Sequence, residues 1–244
     1  MEAQLVWVPV AVLAVAFLYA SVGHARASGY IAVMALAGFS SAALKPIALV
    51  LNILVASLGA FHFWRAGYFS WKLFWPFALL STPAAWLGGY LHLSPAGFRP
   101  LLGIVLWLSA ARFFIHPADP DEVKAPGMAV SLGTGAGIGL LAGLTGTGGG
   151  IFLTPLLLLR RWAFTRNAAG VTAVFILVNS CAGLLGHLGS GRAIPGVTWA
   201  LAVAALAGGA AGAYFGSRRF SVPCLRVLLA SVLVVAGGKL IFTL

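Results

Sequence analysis

No carboxylate occurs between Glu2 and Asp119, and none after Glu122. A chain free of acids over nearly its whole length cannot build the mixed-charge surface of a soluble domain. With 61% hydrophobic and 8% charged residues and a mean hydropathy of +1.02, it reads as an all-α polytopic membrane protein. The same absence excludes paired-carboxylate catalysis, aspartate proton relays and carboxylate cages for metal cations. Neither GxSxG nor HExxH occurs, so no enzyme activity is expected, and no cofactor or metal.

The net charge of +11 comes from Lys and Arg scattered among short connections between apolar segments. That distribution fits the positive-inside bias of membrane proteins and offers no basic stripe for nucleic acid. Cys181 and Cys224 have no metal-like spacing and suggest neither a disulfide framework nor a zinc site. MEAQLVWVPVAV has no Lys or Arg ahead of its apolar run, so it is expected to remain as the first membrane helix.

At about 20 apolar residues per crossing, the chain divides into ten pieces, roughly 5–22, 29–44, 46–63, 72–92, 98–115, 128–144, 150–159, 167–189, 197–216 and 223–243. The expectation is eight full transmembrane helices plus two short half-helices, 29–44 and 150–159. Whether the short pieces cross or turn back is left open. His116–Gly127, HPADPDEVKAPG, is the one hydrophilic linker. It separates a first transmembrane repeat, 1–115, from a second, 128–244.

Shifting the sequence by 127 places Asn52 on Asn179, Arg65–Ala66 on Arg192–Ala193, Arg99 on Arg226 and Arg112 on Lys239. Polar matches are rare in such a chain, so an internal duplication is expected, each half holding one break followed by a short piece. If all five pieces of each half cross, only Lys45, Arg99, Arg192 and Lys239 lie opposite the other cations. That asymmetry favours inverted halves with both termini outside.

The second-half break lies in Leu141–Pro155, LAGLTGTGGGIFLTP. Thr145, Gly146, Thr147, Gly148, Gly149 and Gly150 interrupt the apolar run, and so many glycines disfavour a continuous helix. Unwound backbone inside a bilayer is tolerated only where protein buries it or water reaches it. A helix restarting near Gly149 would aim unpaired N–H groups and a partial positive charge into the break, a setting that favours an anion. The competing reading is that these glycines only allow close helix packing. Pro155 fits a restart or kink of the short helix.

The first-half counterpart is Ser21–Tyr30, SVGHARASGY, where Gly23, Ser28 and Gly29 surround His24 and Arg26. Arg26 is either a partner for the anion or a loop cation at the surface, and His24 is the candidate proton carrier. Asn52 and Asn179 hold equivalent places in long apolar helices and serve either as interhelical glue or as substrate contacts, with Thr172 and Ser180 as weaker candidates. Trp64, Tyr68, Trp71 and Trp75 around Arg65 and Lys72 read as an interfacial aromatic belt. Arg160, Arg161 and Arg166 read as a cytoplasmic loop, with anionic-lipid contact as the alternative.

GLLAGLTGTGGGIFLTPLLLL followed by VFILVNSCAGLLGHL resembles the glycine-rich repeat of the sulfite exporter TauE/SafE family of bacterial inner-membrane permeases. SVGHARASGYIAVMAL and ALVLNILVASLGAFHFWRAGYFSW resemble that family's other repeat. The first half departs from the pattern at Ala25 and Arg26, where similar sequences carry glycines. The resemblance implies a multi-pass transporter of the inner membrane that moves sulfite or an organosulfonate by alternating access. Thr145, Thr147 and the Gly148–Gly150 amides would cradle the oxygens, with His24, Arg26 and Ser28 lining the other half. An anion channel is the runner-up and a scaffold subunit the third reading. The implied partners are a small sulfur-containing anion and membrane lipid, with no nucleic acid and a homo-oligomer left open.

Overall fold

The computed structural model describes residues 2–21, 28–112, 122–219 and 222–242. Every regular element among them is an α-helix: α1 (Glu2–Ser21), α2 (Ser28–Leu36), α3 (Ser41–Arg65), α4 (Trp71–Tyr90), α5 (Pro95–Arg112), α6 (Met128–Thr145), α7 (Gly150–Leu159), α8 (Thr165–Gly189), α9 (Val197–Arg219) and α10 (Val222–Phe242). The protein is thus all-helical and polytopic. Ala42–Arg65, Met128–Thr145 and Thr165–Gly189 are long and apolar enough to cross a bilayer, with mean hydropathies of 1.9, 1.5 and 2.0. At 9 and 10 residues, α2 and α7 are about 15 Å long, half of a hydrocarbon core.

One boundary differs from the sequence expectation. The short piece expected over 29–44 ends at Leu36, and α3 already includes Lys45 and Pro46. Gly38 adopts φ +81°, and the Phe39 N–H bonds back to the Met34 carbonyl, which closes α2. Ser40 then accepts from the Ala43 and Leu44 N–H groups and starts α3, which carries Pro46 as its sixth residue, inside the helix. Lys45 is therefore buried, at 6% exposure, instead of marking a connection.

The chain forms two compact units, Met1–Val55 with Leu93–Ile115 and Ile194–Leu244, and Ala56–His92 with His116–Ala193. In the first, α1 packs on α9, α5 on α10, and α2 beside α1 and α10. Ser28 through Ala35 are all buried there, with Tyr30, Ile31 and Met34 among the core residues. The Lys239 ammonium donates to the Leu36 carbonyl at 2.9 Å, placing a cation on the negative end of α2. In the second unit, α4 packs on α6 and α8, and α7 on α8, around Phe77, Leu153, Leu157 and Phe175.

Each unit interleaves helices from both sequence halves. In one, the first helix of the first half lies on the fourth helix of the second (α1 on α9); in the other the roles are exchanged (α6 on α4).

Candidate functional site

The second unit is built on close backbone contact. Gly135, Gly139 and Gly143 of α6, spaced by four, press on the backbone of Phe77, Ser81 and Ala85 of α4, where any Cβ would collide with a carbonyl. Both series ascend together, so α4 and α6 run parallel. Gly170 meets Tyr68 just before α4, and Gly186 meets Trp86 and Tyr90 at its end, so α8 runs parallel to them as well.

α7 runs the other way. Gly150 packs on Ile176 and Thr172, and Thr154 Oγ1 lies 3.0 Å from Thr172 Oγ1, so a step forward along α7 is a step back along α8. The Lys124 N–H donates to the Arg161 carbonyl at 3.0 Å. The segment entering α6 and the loop leaving α7 therefore sit side by side. The pair α6–α7 is an antiparallel helical hairpin whose tip is the glycine break.

That tip is a tight turn. Gly146 caps α6 at φ +77°, its N–H bonding to the Ala142 carbonyl at 2.8 Å, while Gly148 and Gly149 take φ +72° and +82° before α7 begins. Residues with a Cβ resist these values, so the glycines are here for backbone conformation; those at 135, 139 and 143 serve packing. The helix break expected at 145–150 is present, and the close-packing glycines stand before it on α6.

The turn is bracketed on α8. Gly88 of α4 touches the backbone of Leu140 and Leu144 at the end of α6, while the adjacent Gly89 touches Gly183. Beyond the turn, Gly149 rests on Phe175 and Gly150 on Ile176. Residues 145–149 thus span the stretch of α8 between Ile176 and Gly183, near the middle of that helix. The same stretch holds Asn179 and Ser180, both fully buried. Neither the Asn179 amide nor the Ser180 hydroxyl has a hydrogen-bond partner among the described residues. Buried polar groups are nearly always paired, so two orphans on one turn of helix are unusual.

Thr145 and Thr147 line the tip at 0% and 2% exposure. The Thr145 hydroxyl donates to the Leu141 carbonyl at 2.6 Å and lies 2.9 Å from the Thr147 hydroxyl. Having one proton, Thr145 accepts in the second contact and Thr147 donates.

The structure thus gathers Thr145, Gly146, Thr147, Gly148, Gly149 and Gly150 in one turn and sets Asn179 on the α8 stretch that the turn spans. Gly23, His24 and Arg26 lie outside the described residues. Ser28 and Gly29 open α2 in the other unit, both buried, and Asn52 is buried in α3 at 3% exposure. The sequence reading passed over Thr154, whose pairing with Thr172 no spacing announces, and the burial of Lys45.

An all-helical polytopic protein with a broken-helix hairpin, buried hydroxyls at its tip and orphaned polar groups on the neighbouring helix has the build of a membrane transporter. Residues 8–240 match the sulfite exporter TauE/SafE family. The chain is 42% identical to the "probable membrane transporter protein y4hK" of Sinorhizobium fredii, over 99% of this chain and all of that protein. It belongs to the sulfite exporter TauE/SafE family. No solved structure matches it.

Proposed function

We propose that the protein carries a small oxyanion of the sulfite or organosulfonate class across the inner membrane by alternating access, with the Thr145–Gly150 turn as the substrate site. The observation that carries this reading is the pair of orphaned groups, Asn179 and Ser180, on the stretch that the turn spans. A buried amide without a partner costs about 1–3 kcal/mol, and a ligand that takes its hydrogen bonds recovers that cost. The first N–H groups of α7 have no intrahelical acceptor and add a partial positive charge at the same place. Thr147 adds a hydroxyl, and no carboxylate occurs on either α6 or α7 to repel an anion. Under the expected duplication, Ser28 and Gly29 open α2 as Gly150 opens α7, and eight spanning helices with two half-helices make up two inverted repeats.

Orientation follows from charge. In the second unit, Arg65, Lys72, Lys124, Arg160, Arg161 and Arg166 lie at the end where α4, α6 and α8 begin, and Arg192 lies at the other. By the positive-inside bias the hairpin enters from the cytoplasmic side.

The test is thermal stabilisation of the purified protein by sulfite, sulfate, thiosulfate, taurine, sulfoacetate, phosphate and chloride. A rise confined to one or two sulfur anions and lost in Thr147→Val supports the reading. No rise with any sulfur anion, together with unchanged uptake in Thr147→Val, would overturn it.

A further inference from the structure

At the cation-rich end of the second unit lies a cavity of about 430 Å³, remote from the glycine turn. Its walls come from the start of α4 (Lys72, Leu73, Pro76), the segment 123–126, the α7–α8 loop (Trp162) and the start of α8 (Asn167). The Lys124–Arg161 backbone bond ties two of these walls together. Lys72 is exposed and forms no ion pair among the described residues, and Ser70, which also lines the cavity, makes no side-chain cap to α4. Asn167 is held in place by donating its amide to the Tyr68 carbonyl at 3.2 Å. The same segments carry Lys124, Arg160, Arg161 and Arg166, all exposed, with the Arg166 guanidinium held on the Tyr68 hydroxyl and over its ring, and Glu122 is the carboxylate beside the 123–126 wall among the described residues.

This is a surplus of cations around a cavity whose walls are otherwise largely apolar. Its depth is marked by Trp64, Trp71 and Trp75, which are 66%, 63% and 37% exposed, as aromatic side chains at a headgroup layer are. Along α4 from the cavity, Leu79 and Leu80 are also exposed, giving an apolar track toward the bilayer interior. A free anion would use only the charge, whereas a lipid uses the charge, the aromatic level and the track.

We propose that this cavity seats the phosphate of an anionic phospholipid headgroup, with Lys72 as its charged contact and the acyl chains lying along the exposed face of α4. Basic pockets between helices on the cytoplasmic side hold such headgroups by charge and by displaced water. The site is separate from substrate transport and stands whether or not the turn binds an anion.

The test uses the delipidated full-length protein in detergent, titrated with phosphatidylglycerol, phosphatidylcholine or inorganic phosphate, with thermal stability as the readout. Phosphatidylglycerol at about a hundredfold excess over its Kd is expected to raise Tm by roughly 5 °C or more. Lys72→Gln loses at least half of that rise, Lys72→Arg keeps it, and Arg192→Gln at the opposite end keeps it. Equal shifts with phosphatidylcholine, or an unchanged response in Lys72→Gln, overturn the proposal. So does a Lys72-dependent rise with inorganic phosphate alone, which would assign the cavity to the free anion.

Discussion

The hydroxyls of Thr145 and Thr147 lie 2.9 Å apart at the tip of the α6–α7 hairpin, and only one of the two can turn toward a ligand. Thr145 commits its proton to the Leu141 carbonyl at 2.6 Å, inside the last turn of α6. Thr147 can rotate its proton from Thr145 to an anion while Thr145 keeps its bond to Leu141. A hydrogen bond to a charged group is worth about 1.5–3 kcal/mol. Thr147→Val is therefore expected to weaken anion binding roughly 10- to 100-fold with little loss of Tm, and Thr147→Ser to retain most of it. Anion-dependent melting of the three proteins checks this.

Glycines two residues apart on α6 should respond in opposite directions to alanine. A Cβ on Gly137 meets nothing within 4 Å, whereas one on Gly139 runs into the backbone of Ser81. Gly137→Ala is expected to be neutral or to stabilise by up to about 1 kcal/mol through helix propensity. Gly139→Ala should cost about 1–3 kcal/mol, since backbone cannot move aside as a side chain can. Melting temperatures of the two variants decide, and equal values would contradict the parallel α4–α6 contact.

Gly38 and Gly149 share a backbone conformation but not an environment. Their φ values are +81° and +82°, yet Gly38 has open space around a Cβ while Gly149 has Ile138 and Phe175 at 2.9 Å. Gly38→Ala should cost only the left-handed penalty of about 1–2 kcal/mol. Gly149→Ala should cost more and also lose transport, because the turn must open to fit the methyl group. If the two variants melt alike, the packing at the tip is looser than described.

Composition and spacing carried the reading a long way in places. Three glycines able to take positive φ, set between apolar runs, announced the turn at 146–149, and α7 begins and ends where the sequence expected a short piece. The direction of α7 was not legible, because it is fixed by Lys124 meeting Arg161 and by Thr154 meeting Thr172, contacts between residues far apart in sequence or on separate helices. Charge served better: with α7 returning to the side from which α6 sets out, the cations around 160–166 fall with Arg65, Lys72 and Lys124, as they do when every piece is counted as crossing. Lys45 misled for a physical reason, since a lysine followed by proline looks like a connection, yet α3 runs through both, with Lys45 buried and Pro46 inside the helix.

Asn179 separates a functional role from a packing one. Its amide is fully buried, and neither its nitrogen nor its oxygen finds a partner among the described residues. Were it interhelical glue, removing it would destabilise the bundle, as losing a made hydrogen bond does. An amide kept for a ligand instead costs stability when that ligand is absent. Asn179→Leu removes an unsatisfied polar group at similar volume, so it is expected to raise Tm in the ligand-free protein, by about 1–2 kcal/mol of stability, while transport falls at least tenfold. Ser180→Ala should move both quantities the same way and by less. The check is paired measurement of ligand-free melting and solute uptake in vesicles. A lower Tm with uptake intact would make Asn179 a structural residue and leave Thr147 and the α7 amides to hold the anion without it.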